Sequence, residues 1–182
     1  IKDEFLINGY VDHDGLNINK KNLELFIKPF LPNLNIERIK FSSKNIFSFK
    51  LNKKFKFKDF DIDSEMLIDE LLILNNLSLK KFFPEIKKNI LFSNNKLSIK
   101  YKNDGLSING NGNVLYQNKN DNLTYIINKK NNALDFKTSL KIKDNPFIIG
   151  FLNYEKNQKN KTLIKVEGLK DENNLTLIKS FY

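Results

Sequence analysis

Three groupings of polar residues in this chain have types and spacing that invite chemistry. His13 stands between Asp12 and Asp14, just before Gly15, which in principle offers a metal ligand or an acid–base pair. Neighbouring strand residues point to opposite faces, so these side chains meet at one ion only if the chain turns there. A solvated hairpin turn is the plainer reading. Asp59, Asp61, Asp63 and Glu65 alternate along one strand face, where four carboxylates would suit a hard cation. Phe60 and Ile62 occupy the opposite face, and Lys54, Lys56 and Lys58 lie nearby, so a charge-balanced solvent face explains the run without a ligand. Gly110-Asn111-Gly112 opens like a phosphate loop, but no third glycine, lysine-threonine pair or following helix completes it. A bulge or hairpin feature within a sheet remains.

What is missing narrows the chemistry further. There is no cysteine, which removes disulfides, thiolate metal sites and cysteine nucleophiles together. No serine, threonine or lysine sits in a nucleophile context, and the single histidine is poorly placed to activate one. The chain therefore reads as non-enzymatic, with no catalytic residue, no metal site and no cofactor. Its formal charge is +10, yet Arg38 is the only arginine. Recognition of base edges and bidentate binding of phosphate favour the planar guanidinium fork, which lysine lacks, so nucleic acid is an unlikely partner. Abundant Lys, Asn, Ile and Phe are what an A/T-rich genome would impose. A functional attraction to anionic lipid or polyanion is the second explanation of the charge.

The elements that would hold these residues are strands. Leu97, Ile99 and Tyr101 alternate with polar residues, Lys102-Asn103-Asp104-Gly105 supplies a tight hairpin, and Leu106 and Ile108 begin the return. The same period-two pattern gives Leu123, Tyr125 and Ile127; then Leu134, Phe136, Leu140 and Ile142; then Phe147, Ile149 and Phe151. Ile164 and Val166 mark one last strand, Leu175 and Leu177 another. The first half is less regular and reads as six short strands, at 6–11, 15–19, 36–41, 46–51, 55–62 and 66–74. Residues 22–32 and 78–86 each combine a possible cap, a short amphipathic run and a proline, and read as a short helix or turn lying across the sheet. The Phe-x-Pro sites at 30–32 and 82–84 suggest repeat units of about 1–75 and 76–182. No stretch reaches the roughly 18 uninterrupted apolar residues of a membrane-spanning helix. Beginning at Ile1 and still strand-like at Tyr182, the chain is expected to be one segment of a longer protein.

Residues Leu79 to Pro84, Leu97 to Tyr101, Ile108 to Val114 and Phe151 to Lys156 together resemble the repetitive β region of the AsmA-like superfamily, and most closely its YhdP branch. The similarity runs from about residue 20 to the end and rests on a style of strand and turn. It implies a mainly β, elongated and twisted antiparallel meander, curved into an open U-shaped groove with one or two short helices. It further implies a bridge-like lipid transfer protein, periplasmic and anchored in the inner membrane, whose groove carries phospholipid acyl chains between inner and outer membranes.

Apolar alternation assigns the groove-facing positions: Leu97, Ile99, Tyr101, Leu106, Ile108, Leu123, Tyr125, Ile127, Leu134, Phe136, Leu140, Ile142, Phe147, Ile149, Phe151, Ile164 and Val166. The sequence offers too little helix to cover so many strands, which leaves the apolar face seeking a ligand. Two alternatives stay open. One is a closed sandwich or barrel with a structural or adhesive role, in which the same residues are core. The other is a polyanion-binding module.

Overall fold

The computed structural model describes residues 4–22, 35–76, 78–131, 133–156, 160–170 and 176–181. Nine strands pair in chain order as a single antiparallel meander: β1 (Glu4–Asn19), β2 (Ile36–Asn52), β3 (Phe57–Leu74), β4 (Asn89–Lys102), β5 (Gly105–Leu115), β6 (Asp121–Lys130), β7 (Ala133–Ile142), β10 (Thr162–Lys170) and β11 (Thr176–Phe181). Between β7 and β10 the chain leaves the sheet as a small ribbon, β8 (Ile148–Ile149) and β9 (Tyr154–Glu155), joined through a 3-10 turn at Gly150–Leu152. The sheet is mainly β and open as expected, with β1 and β11 as its edges. The closed sandwich or barrel is not formed.

The six short strands expected in the first half are three long ones, of 16, 17 and 18 residues. In β1 a bulge lies where a break was expected, and β3 pairs without interruption through residues 62–66. Register shifts between His13 and Leu16, where Gly15 takes φ +69, so Asp12-His13-Asp14-Gly15 is a bulge inside β1 and not a hairpin turn. Asp59 and Asn94 adopt left-handed φ values of 50 and 51 at two further irregularities, in β3 and β4. Each bulge shifts the inward phase by one residue, which is why simple alternation fails along β1 to β3.

In the second half the hairpin turn is where the sequence placed it. Lys102 pairs with Gly105, and Asn103 and Asp104 carry φ of 50 and 59, values that Asn and Asp tolerate better than most residues. Gly110-Asn111-Gly112 lies inside β5, where Gly110 leaves room for the Tyr125 ring of the next strand to lie flat across it. The bulge it was expected to mark sits opposite, in β4.

Residues 78–86 form turns, with the Phe82 and Phe83 amides both donating to the Leu79 carbonyl at 2.9 Å. The matching stretch 22–32 lies, apart from Asn22, outside the described residues, as does the first Phe-x-Pro site. The strand expected at 147–151 is shortened to Ile148–Ile149, because the chain turns at Gly150. β3 and β4, on either side of the expected repeat boundary, pair from Ile62–Tyr101 to Leu74–Asn89 as part of one sheet.

Among the described residues each sheet strand packs mainly against its hydrogen-bonded neighbours, with no second layer. The chain accordingly exposes 12899 Å², against about 9100 Å² for a compact monomer of its mass. Two small apolar clusters do the packing. Ile36, Ile39 and Ile68 centre one on β2 and β3; Ile142, Phe147 and Ile164 centre the other.

Candidate functional site

Cross-strand register determines which side chains share a face, because directly opposed residues point the same way. Ile99 opposes Ile108, Ile108 opposes Ile127, and Ile127 opposes Phe136, which lies across Gly168 of β10. One position along, Phe47, Ile62, Tyr101 and Leu106 form a second row, and on the other side Leu123, Leu140 and Ile164 form a third. All sheet residues expected to line an apolar face share it: Leu97, Ile99, Tyr101, Leu106, Ile108, Leu123, Tyr125, Ile127, Leu134, Phe136, Leu140, Ile142, Ile164 and Val166. Most are half-buried by lateral packing alone. Burial pushes the Tyr125 hydroxyl above the ordinary phenol range, in keeping with a ring lying flat on this face.

Phe147, Ile149 and Phe151 are placed differently. Phe147 and Ile149 belong to the excursion after β7 and pack over Leu140, Ile142, Ile164 and Val166, closing one end of the apolar face. Phe151 sits on the 3-10 turn and is exposed. It lines nothing.

The closure at that end is held by ring contacts and buried hydrogen bonds. Phe83 stacks edge-on to Tyr116 at 5.0 Å and tilts against Phe147 at 5.4 Å. Beneath them the fully buried Asp121 carboxylate accepts hydrogen bonds from the Tyr116 hydroxyl (2.8 Å), the Asn145 amide (2.7 Å) and the Lys143 backbone N–H (2.8 Å). Gln117, also buried, donates to the Pro146 carbonyl at 2.9 Å and accepts from the Glu85 N–H at 3.1 Å. Burial, reinforced by the Asp121 charge, pushes the Tyr116 phenol far above its usual value.

Sequence alternation missed the apolar face of β1 to β3. Ile39, Phe41, Phe47, Phe49, Ile62, Met66, Ile68 and Leu71 share it. Their phase is broken by the bulges at Gly15 and Asp59 and by the shift between Lys40 and Phe41, and the left-handed-tolerant Gly and Asp were the only signal. The face here is also interrupted. Buried Ser64 donates to Asn45 at 2.6 Å, and Asn45 donates to Ser43 at 2.9 Å, a polar bridge between two apolar patches.

The opposite face is a ladder of charge. Lys50 pairs with Asp59 (2.7 Å), Lys100 with Asp63 (2.9 Å) and Lys102 with Asp61 (3.8 Å), while Glu65 opposes Lys44. The acidic run is thus neutralised mainly by lysines of β2 and β4, and not by Lys54, Lys56 and Lys58 of its own segment. Among the described residues no cluster of His, Asp and Glu could hold a metal. A trough of about 1160 Å³ crosses this face, bordered by rows such as Leu67, Lys96, Asn111, Thr124 and Ser139. Of the expected groove residues only Leu97 and Tyr125 border it.

The chain matches no protein-family model, and comparison with curated proteins and with solved structures finds no match to it.

Proposed function

We propose that this chain is a non-enzymatic segment of a periplasmic, bridge-like protein that carries phospholipid acyl chains along the apolar face of its sheet. One observation supports this above the rest. Register aligns apolar residues of consecutive strands into continuous cross-strand rows on a face that no second layer covers among the described residues. From β4 to β7 such a row is four strands wide, about 14 Å at the usual strand spacing, which suits an extended acyl segment of about a dozen carbons. A methylene contributes about 0.8 kcal/mol on full burial. Contact with one face removes about half of the chain's surface from water, so a dozen carbons gain on the order of 5 kcal/mol. That is enough to retain a lipid and little enough to let it slide between equivalent rows.

The polyanion reading fares worse. Lys44, Lys96, Lys137 and Lys165 around the polar trough are matched there by Asp12, Asp14, Glu65 and Glu167, with Lys137 and Glu167 paired at 3.2 Å. Such a trough has no excess of cations to offer.

Two substitutions and one extraction test the proposal. The chain purified from cells is extracted with organic solvent, and phospholipid is measured by mass spectrometry. Ile127→Asp, on the open part of the face, is expected to keep a cooperative thermal transition and lose the lipid. Ile142→Asp, fully buried under the closed end, is expected to unfold the chain through an unpaired buried charge. A stable wild-type chain free of lipid would sink the proposal, as would an Ile127→Asp variant that retains its lipid.

A further inference from the structure

The hairpin joining β2 to β3 is built to hold an aromatic ring in solvent. Its segment reads Asn52-Lys53-Lys54-Phe55-Lys56-Phe57-Lys58. Phe55 is 80% exposed and Phe57 is 70% exposed. Phe55 takes φ 54, a left-handed conformation that a bulky residue adopts only at a cost, and one in which Gly or Asn would be easier. The turn is well braced around it. The Asn52 side-chain carbonyl accepts from the Lys54 and Lys56 N–H groups at 2.9 and 3.0 Å, and the Phe55 N–H donates to the Asn52 carbonyl at 2.9 Å. A strained, tightly hydrogen-bonded turn thus presents an apolar ring to water, ringed by lysines.

The hairpin's second ring, Phe57, joins the apolar face. Phe57 packs on Phe49 at 4.8 Å, and Phe49 stacks with Phe47 at 6.1 Å. Phe47 opposes Ile62, which opposes Tyr101 of β4. Phe5 and Leu6 of the adjacent strand are each 62% exposed beside the tip. An apolar path therefore leads from Phe57, at the foot of the hairpin, to the rows of the sheet. Among the described residues the carboxylates beside the hairpin pair with Lys50 and Lys58, Asp59 with the first and Glu4 with the second, and not with Lys54 or Lys56.

We infer that this hairpin is a docking tip for an anionic bilayer surface, with Phe55 and Phe57 entering the headgroup boundary and Lys54 and Lys56 facing acidic headgroups. Aromatic residues gain by burial at that depth, and each lysine near an anionic surface strengthens binding by about five-fold. Charge complementarity selects this occupant, and the exposed apolar flank of Phe5, Leu6 and Phe57 adds surface to bury at its boundary. The inference goes beyond acyl-chain carriage, since the tip can dock without extracting any lipid.

The chain contains no tryptophan, so Phe55→Trp gives a single optical reporter. With vesicles of phosphatidylcholine containing 30% phosphatidylglycerol, its emission is expected to shift to the blue; with pure phosphatidylcholine the shift should largely vanish. In co-sedimentation on the mixed vesicles, Phe55→Asn should weaken binding about ten-fold or more while leaving the thermal transition unchanged or higher, because asparagine suits the left-handed turn. Lys54→Gln with Lys56→Gln should weaken it about 25-fold at low salt. The inference is overturned if the wild-type chain does not sediment with the mixed vesicles, or if Phe55→Asn binds them as well as the wild type does. It is also overturned if a single-stranded oligonucleotide displaces the vesicles and Phe55→Asn loses only the oligonucleotide. Loss of lipid carriage in Ile127→Asp with vesicle docking intact separates this inference from the proposed function.

Discussion

Tyr116 and Asp121 lie five residues apart in sequence, yet their environment comes from elsewhere: Lys143 and Asn145 complete the carboxylate's hydrogen bonds, and Phe83 and Phe147 enclose the ring. Nothing local in the sequence marked Asp121 as buried. Because the folded chain holds the Tyr116 proton far more tightly than water does, the residue links stability to alkaline pH. Below about pH 10 the phenol is neutral in folded and unfolded chains alike, so its contribution is fully present there. As pH rises further the unfolded chain releases the proton and the folded chain keeps it. Stability is then lost by about 1.4 kcal/mol per pH unit. Urea denaturation from pH 9 to 11 should show stability nearly flat at first and then falling toward this slope in the wild type, with a shallower fall in Tyr116→Phe, which is less stable at neutral pH but has no proton to lose.

At the scale of elements, the long strands of the first half depend on bulges that keep them in one sheet while turning their inward phase. Gly15 is the clearest case. A Cβ there would meet no atom within 4 Å, so space imposes no penalty, but φ of +69 does. Gly15→Ala is expected to cost about 1 kcal/mol, read as a lowered midpoint in chemical denaturation with unchanged slope. A loss much below this would mean that the chain closes the bulge and shifts register. In the second half, β5 to β7 carry strict alternation through unbulged pairings, so their apolar positions were legible residue by residue. The excursion after Ile142 was not, since Phe147 and Ile149 alternate like a strand whether they sit in the sheet or fold over its end.

For the whole molecule, the decisive quantity is how little of the surface folding removes from water. The exposed area exceeds the compact expectation by about two fifths. A compact chain of this length would have a radius of gyration near 16 Å. Small-angle scattering of the monodisperse chain should give a clearly larger value, and one at or below it would mean that the sheet closes on itself in solution. The same single-layer architecture explains why the apolar rows are packed only side to side, and why a hairpin tip at one corner connects to them through Phe49 and Phe47.

Several features were settled by the sequence alone: an almost purely β chain, the meander order implied by short turns, and the sharing of one face by the apolar residues of β4 to β7. These follow from side-chain period and turn chemistry, which are properties of neighbours along the chain. The inward set of β1 to β3, the closure built on Asp121 and the cross-strand neutralisation of the acidic run were decided only by the tertiary structure. Each depends on a register shift or on a partner dozens of residues away, and a register shift of one residue exchanges the two faces of a strand without changing its composition.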